Sequence, residues 1–270
     1  MSVKSLPRSY LFVPANRPER LDKALQSGAD AVIVDLEDAV PPADKHVARE
    51  HLLAWLTPDV SVLVRVNGPD TEWFEDDIRL AAHPGVAGIV LPKAECPAHL
   101  ARVAAHCHDN CGLYPIVETA GAFEDLVTLA RSPRVVRLMF GSLDLQVDLG
   151  VTEVAGDELL FFRSQVVLAS RLANIAPPVE GVTTVLDDAE RIKADTRRGR
   201  ALGFRGKLCI HPRQVAYVHR GFAWSETERE WAQRVMDAVA SSKGAAVAVD
   251  GKMVDMPVIR QATEILQAQP

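Results

Sequence analysis

Glu118 and Asp144 close two apolar, β-branched runs, LYPIVET and VVRLMFGS, and both have small neighbours: Thr119-Ala-Gly after one, Gly141-Ser before the other. Two carboxylates with that much room suit a hard cation. Mg2+ commonly takes one or two carboxylates and completes its shell with water and substrate oxygens. A helix is expected after each, so the same pair also fits two helix-capping carboxylates. Arg65 lies in VLVRVNG, and strand alternation points it opposite to Val64 and Val66. Arginine is rarely buried alone, and its planar fork matches a carboxylate or a developing oxyanion. A structural ion pair with Glu37 or Asp38 fits it equally.

Three further acids stand in Asp35-Leu-Glu37-Asp38. Carboxylates so close raise one another's pKa unless positive charge compensates them. Arg65, Lys93 and a divalent cation would do so; alternatively one acid points into solvent and caps the next helix. Asn16, Arg17, Arg20 and Lys23 follow in PANRPERLDKA. Basic groups at a helix start suit an anion such as phosphate, or form a solvated helix face. The run His106-Cys-His-Asp-Asn-Cys111 resembles metal-ligand material, but its consecutive ligands do not face one ion on a helix, and no second Cys/His cluster completes a site. It reads as a helix end. His211, in CIHP, is expected to face the same opening as the strand ends, and Cys209 the core.

These residues need a scaffold that gathers strand ends. Apolar runs alternate with amphipathic stretches along the chain: strands at Tyr10–Ala15, Ala31–Glu37, Val60–Asn67, Ala87–Lys93, Leu113–Thr119, Val135–Ser142, Val179–Thr183 and Gly206–His211. Helices are expected between them, at Pro18–Ser27, Ala43–Leu56, Trp73–Ala82 and Pro97–Cys107 among others. Near-continuous apolar strands, each followed by a helix, imply a parallel sheet covered on its outer face. Eight such units in this length fit an α/β fold, the (β/α)8 TIM barrel, whose strand ends all open on one mouth. An open doubly wound sheet is the alternative, but no Gly-x-Gly-x-x-Gly follows any strand. The barrel is expected over residues 1–222. Residues 223–270 depart from the pattern: a helix over Glu226–Ser242 with a capping-box start, a short strand over Ala245–Val249, a turn at Gly251 and a last helix over Met256–Leu266. They read as a C-terminal helical flap on the barrel or on a neighbouring subunit.

Composition limits the function classes. The 270 residues are 48% hydrophobic and 24% charged, an ordinary globular balance. With 30 basic against 36 acidic residues, the net charge of −6 argues against nucleic acid as the main partner. The longest stretch free of Asp, Glu, Lys and Arg, Leu80–Pro92, contains Pro84 and Gly85 and is too short to span a bilayer, so no membrane role is expected. Four cysteines in so large a chain read as free thiols, and the N-terminus lacks the apolar core of a signal peptide, so a cytoplasmic protein is expected.

The segments RSYLFVPANRPER, AVIVDLEDAV, VLVRVNG, GIVLPKAE, PIVETAGA, FGSLDL, KLCIHPRQV and DGKMVDMPV, in that order, strongly resemble the citrate lyase β-subunit-like family of the HpcH/HpaI aldolase superfamily, related to malyl-CoA and citramalyl-CoA lyases. The likeness runs from about Arg8 to Leu266. It implies a (β/α)8 barrel, usually a homotrimer, that binds Mg2+ and cleaves or forms a C–C bond between an acyl-CoA and a 2-oxo acid such as oxaloacetate, pyruvate or glyoxylate. By motif it implies Glu118 and Asp144 as Mg2+ ligands, and Arg65 as the arginine on the oxo-acid carboxylate and reacting oxygen. It also implies Glu37 and Asp38 as the paired acids beside the metal, and Asp255 as the aspartate a flap carries over a neighbouring subunit's site. Asn16, Arg17, Arg20 and Lys23 fall where the family's first loop meets coenzyme A. The chain departs from the family at Leu143, where many members have an acid, and no additional C-terminal domain is expected after the flap helix. Two other readings stay open: an aldolase of free 2-oxo acids without coenzyme A, and a subunit active only with partner subunits.

Overall fold

The computed structural model describes residues 6–152, 157–242 and 247–268. Eight parallel strands close in chain order into a barrel: β1 (Ser9–Pro14), β2 (Ala31–Asp35), β3 (Val62–Arg65), β4 (Val86–Leu91), β5 (Gly112–Val117), β6 (Met139–Phe140), β7 (Val179–Glu180) and β8 (Gly206–Cys209), with β8 returning to β1. One residue from each strand fills the barrel axis: Tyr10, Ile33, Leu63, Val90, Ile116, Met139, Val179 and Leu208. The alternate positions, such as Leu11, Val32, Val64 and Ile89, pack outward against the helices. This is the barrel's layered core, a packed interior rather than a pore.

The helices follow the strands: α1 (Pro18–Leu25), α2 (Lys45–Trp55), α3 (Phe74–Asp77), α4 (Pro97–Ala104), α5 (Leu126–Ala130), α6 (Ser142–Asp148), α7 (Leu160–Leu172), α8 (Ala189–Leu202) and α9 (Pro212–Phe222). α1 and α4 each begin with a proline, whose missing N–H costs nothing in a first turn. α8 ends on Gly203 at φ 110°, a left-handed stop that any other residue would resist.

Two strands are shorter than the sequence suggests. The run Val135–Ser142 pairs as β6 only at Met139 and Phe140, and the run Val179–Thr183 only at Val179 and Glu180. Pro177 and Pro178 lack the N–H groups the ladder needs there. Their carbonyls turn instead to the guanidinium of Arg137, which is fully buried. Arg137 also donates to the Pro7 carbonyl and the Tyr10 hydroxyl. These groups all sit at strand starts and close that end of the barrel. The expected helix Trp73–Ala82 is split into α3 and a 3-10 turn over Ile78–Ala82.

Below the closed end, Asp30 accepts from the backbone N–H groups of Arg8 and Ser9 at 2.7 and 3.1 Å and faces the His219 ring at 3.2 Å. Burial opposes its charge, but the His219 bond and the two N–H donors outweigh it and hold the carboxyl down at about 2. A carboxyl depressed below its unfolded value of 3.8 stabilises the fold above about pH 4, and that contribution disappears as pH falls toward 2. Asp30→Asn is therefore expected to lower Tm at pH 7 and to flatten the loss of stability between pH 4 and 2, as read by thermal melts across that range.

Residues 223–270 form a second compact unit. It holds α10 (Glu226–Ser241), β9 (Val247–Val249), β10 (Lys252–Val254) and α11 (Met256–Gln267). Ser225 and Glu228 form the reciprocal capping box at the start of α10. Ala232 and Val235 pack against Ala262 and Ile265. β9 and β10 form an antiparallel hairpin turned by Asp250 and Gly251, at φ 50° and 75°. The sequence reading expects only the first of these strands, and its residues 245 and 246 lie outside the described residues.

Candidate active site

The polar strand ends converge at the open mouth. Arg65, the last residue of β3, grips Asp35, the last residue of β2, through two parallel bonds: Nε to Oδ1 at 2.8 Å and Nη2 to Oδ2 at 2.6 Å. Asp35 is 1% exposed and also accepts from the N–H groups of Glu37 and Ala39. Arg65 Nη1 lies 2.9 Å from Glu37 Oε2 and 3.6 Å from Asp38 Oδ2. The Glu37 approach is too poorly angled for a hydrogen bond, so that buried oxygen has no donor. Burial opposes the arginine's charge, yet Asp35, Glu37 and Asp38 together hold its pKa above the ordinary value. The guanidinium also stacks 4.7 Å from the Phe12 ring.

Lys93 ties the two acid groups together. Its Nζ donates to Glu37 Oε1 at 2.7 Å, while its backbone N–H donates to Glu118 Oε1 at 2.8 Å. The second bond depends on a left-handed backbone at Lys93, φ 51°, which an L-residue adopts at a cost of about 1 kcal/mol. Burial weakens the ammonium, but Glu37 outweighs it, with Glu118 and Asp144 beyond, and the Lys93 pKa is raised.

Glu118, just past β5, is 2% exposed. Burial first, then the Glu37 and Asp144 carboxylates, push it up to about 8. Asp144 lies in the first turn of α6. A buried carboxyl whose charge is opposed by burial and by neighbouring acids is what a divalent cation would relieve. Among the described residues no three His, Cys, Asp or Glu side chains form a ready-made cage. The site therefore fits Mg2+ held by Glu118 and Asp144 with water and ligand oxygens, rather than an ion enclosed by protein.

Gly141 leaves the space Glu118 occupies. A Cβ there would stand 2.4 Å from Glu118 Oε2 and 2.5 Å from its Cβ. Gly141→Ala is expected to displace the carboxylate, weakening Mg2+ binding by about tenfold or more, a typical cost of disturbing a ligand's support. Isothermal titration with MgCl2 checks this.

A cavity of about 370 Å3 opens beside these groups. Asp35, Asp38, Arg65, Glu118 and Asp144 line it together with Ser142 and apolar residues from β1, β5, β6 and β8.

The other residues singled out by sequence stand elsewhere. Arg17 precedes α1, Arg20 lies in its first turn, and Lys23 lies in its last turn rather than near its start. All three are exposed, and Asn16 makes a long 3.5 Å bond to Asp44. Asp255 is exposed in the second unit and caps α11 through the Val258 N–H. The His211 ring accepts the Arg213 N–H, and Cys209 is buried. In the His106–Cys111 segment, His108 Nε2 bonds the Val86 carbonyl and no metal cluster forms. Sequence reasoning missed Asp35 as the main partner of Arg65; its place one strand over, at the same height, was the available signal. It also missed the backbone role of Lys93, which no residue type announces.

A closed eight-stranded parallel barrel whose mouth gathers a buried carboxylate, a second acid beside it and a carboxylate-bound arginine defines a TIM-barrel protein. Comparison narrows the class. The chain belongs to the HpcH/HpaI aldolase/citrate lyase family, whose pattern matches residues 8–212. It is 38% identical to the citrate lyase subunit beta-like protein of Deinococcus radiodurans over 97% of each chain. It is 36% identical to a (3S)-malyl-CoA thioesterase of Cereibacter sphaeroides, over 92% of this chain and 89% of that one. Among solved structures, the protein CitE from Mycobacterium tuberculosis, in complex with magnesium, acetoacetate and coenzyme A, matches with TM-score 0.87 and 32% identity over 98% of both chains. Among the described residues no helix is long and apolar enough to cross a membrane.

Proposed function

We propose that this chain is a Mg2+-dependent carbon–carbon lyase that cleaves, or forms, a 3-hydroxyacyl-CoA such as citramalyl-, malyl- or citryl-CoA, giving acetyl-CoA and a 2-oxo acid. The observation that carries this reading is the buried Glu118, pushed up to about 8 beside Asp144 and facing the same cavity as Arg65. Relatives whose structures hold magnesium with coenzyme A and acetoacetate, or with oxaloacetate, support it.

Glu118 and Asp144 would hold the ion, which when bound supplies Lewis-acid polarisation of the oxo-acid end of the substrate. Arg65, fixed from behind by Asp35, turns its remaining N–H groups toward negative charge developing on the oxo-acid oxygen, and its rigidity means no reorganisation is needed as that charge forms. Asp38 is 64% exposed and lines the cavity, so it is the carboxylate free to take the substrate hydroxyl proton. As the C–C bond breaks, its electron pair moves onto the thioester as an enolate, and Asp255 from a second copy of the chain returns a proton to that carbon. Arg17, Arg20 and Lys23, with Asn16, offer the rim on which the coenzyme A phosphates would rest. A homotrimer and a cytoplasmic location belong to the same proposal.

The test is a coupled assay of the purified chain with Mg2+ against citramalyl-, malyl- and citryl-CoA. Acetyl-CoA release abolished by EDTA is the expected result. Free coenzyme A and an intact hydroxy acid, without oxo acid, would instead indicate thioester hydrolysis, which the malyl-CoA thioesterase relative makes a specific second reading. Asp255→Asn is expected to cut turnover by about 100-fold or more, the usual contribution of a positioned acid, with Mg2+ affinity unchanged. Unchanged turnover would remove Asp255 from the mechanism.

A further inference from the structure

Resting on the lyase reading, we infer that the oxo acid this site takes carries an uncharged, apolar substituent and only one carboxylate. The cavity lining combines charged and apolar groups. Arg65 is the sole cation among the described lining residues; its Nε and Nη2 are bonded to Asp35, and its Nη1 lies between the Glu37 and Asp38 carboxylates. What remains can meet one carboxylate. Lys93 stands outside this lining, and its ammonium is bonded to Glu37.

The same lining offers hydrocarbon: Phe12 from β1, Ile116 from β5, Val182 beyond β7, Leu208 of β8, Ile210 just past it, and Leu143 at the lip. Leu143 and Ile210 are 46% and 42% exposed, large apolar side chains left facing the mouth. Behind this wall stand Arg163, stacked on Phe140, and Lys207, and both line a neighbouring cavity that shares Ser142, Leu143 and Val182 with this one. Glu180 and Lys207 alternate with Val179 and Leu208 of the barrel interior, so both point outward. Arg163 is bound to Glu180, and Lys207 to the Gly181 carbonyl.

Charge arithmetic agrees. Asp35, Glu37, Asp38, Glu118 and Asp144 against Arg65 and Lys93 leave the mouth short of positive charge, and one divalent cation does not reverse that excess. A first carboxylate binds at the ion and Arg65. A second one would be desolvated against hydrocarbon with acids close by and no cation of the cavity lining left to meet it, a placement that costs far more than burying a methyl group there gains. Leu143, 46% exposed, extends the apolar lining to the lip.

The test compares 2-oxobutyrate with oxaloacetate. Both have four carbons and differ only in methyl against carboxylate. Each is titrated calorimetrically into the purified chain at saturating Mg2+, with oxaloacetate freshly dissolved and its decarboxylation measured at the end. The expected result is at least about tenfold tighter binding of 2-oxobutyrate, the low end of what an unpaired buried polar group costs. Ile210→Lys, which places a cation on the apolar wall, is expected to narrow or reverse that ratio. Equal or tighter binding of oxaloacetate by the unaltered chain would overturn this inference and leave the lyase reading standing. A preference that Ile210→Lys does not change would remove this wall as its cause and overturn the inference likewise. Binding of neither acid in the presence of Mg2+ would overturn both.

Discussion

Glu118→Gln is expected to abolish Mg2+ binding in the millimolar range and to reduce turnover by about 1,000-fold, because it removes one of two charged donors and the oxyanion chemistry that depends on the ion. The side chain keeps its shape, so the Lys93 N–H retains an acceptor and folding should survive. The unaltered chain supplies a second readout. A carboxyl pushed up to about 8 by burial, Glu37 and Asp144 keeps its proton at pH 7 in the metal-free protein. Mg2+ needs the carboxylate, so binding must release close to one proton per site. The sign follows directly: Mg2+ affinity climbs as pH rises toward about 8 and then levels, with a limiting slope near one decade per pH unit below it. Titration in buffers of different ionisation enthalpy counts the protons. In Glu118→Gln that count should fall to zero. A Mg2+ affinity that Glu118→Gln leaves intact would place the ion elsewhere.

Arg65→Met is the second large effect, and it strikes stability as well as activity. The substitution strips Asp35, 1% exposed, of both its charged bonds and leaves Glu37 with Lys93 alone. Removing one partner of a buried pair typically costs about 3–5 kcal/mol, because the other charge stays buried without compensation. For a chain of this size that is a fall in Tm on the order of 10 °C. Turnover should drop by about 100- to 1,000-fold with the loss of the oxyanion donor. Adding Asp35→Asn to Arg65→Met is expected to restore much of the stability and none of the activity. That double-mutant cycle separates the structural role of the pair from its chemical one. Arg65→Lys should keep the charge but lose the fork, and so recover stability better than rate.

Much of the architecture is legible residue by residue. β-branched runs ending in polar residues mark the strands because the barrel buries both faces of each strand and exposes only its end. Where this reading overreaches, prolines are responsible: Pro177 and Pro178 break the ladder beside Val135–Ser142, and the gap is filled by Arg137, whose side chain a run of apolar neighbours conceals. The hairpin after α10 was half visible, since Asp250-Gly251 announces the turn but Lys252–Val254 has no buried apolar alternation to mark it as a strand.

The site divides along the same line. Residue types and their spacing establish which chemical groups are present and that they lie at or just past strand ends: Glu118, Asp144, Arg65 and the acids of Asp35-Leu-Glu37-Asp38. Alternation along a strand and the common direction of barrel strands are local rules, so sequence suffices for them. The pairings come from the closed fold. Asp35 and Arg65 are thirty residues apart and become partners because β2 and β3 pair in a register that sets them side by side. Glu118 is pushed up to about 8 because the fold buries it near two other acids, and Lys93 reaches it through a backbone angle that no residue type foretells. Desolvation, charge proximity and backbone strain are properties of an assembled volume. A sequence names the groups, and their energies arise when the closed barrel brings them within a few ångströms of one another.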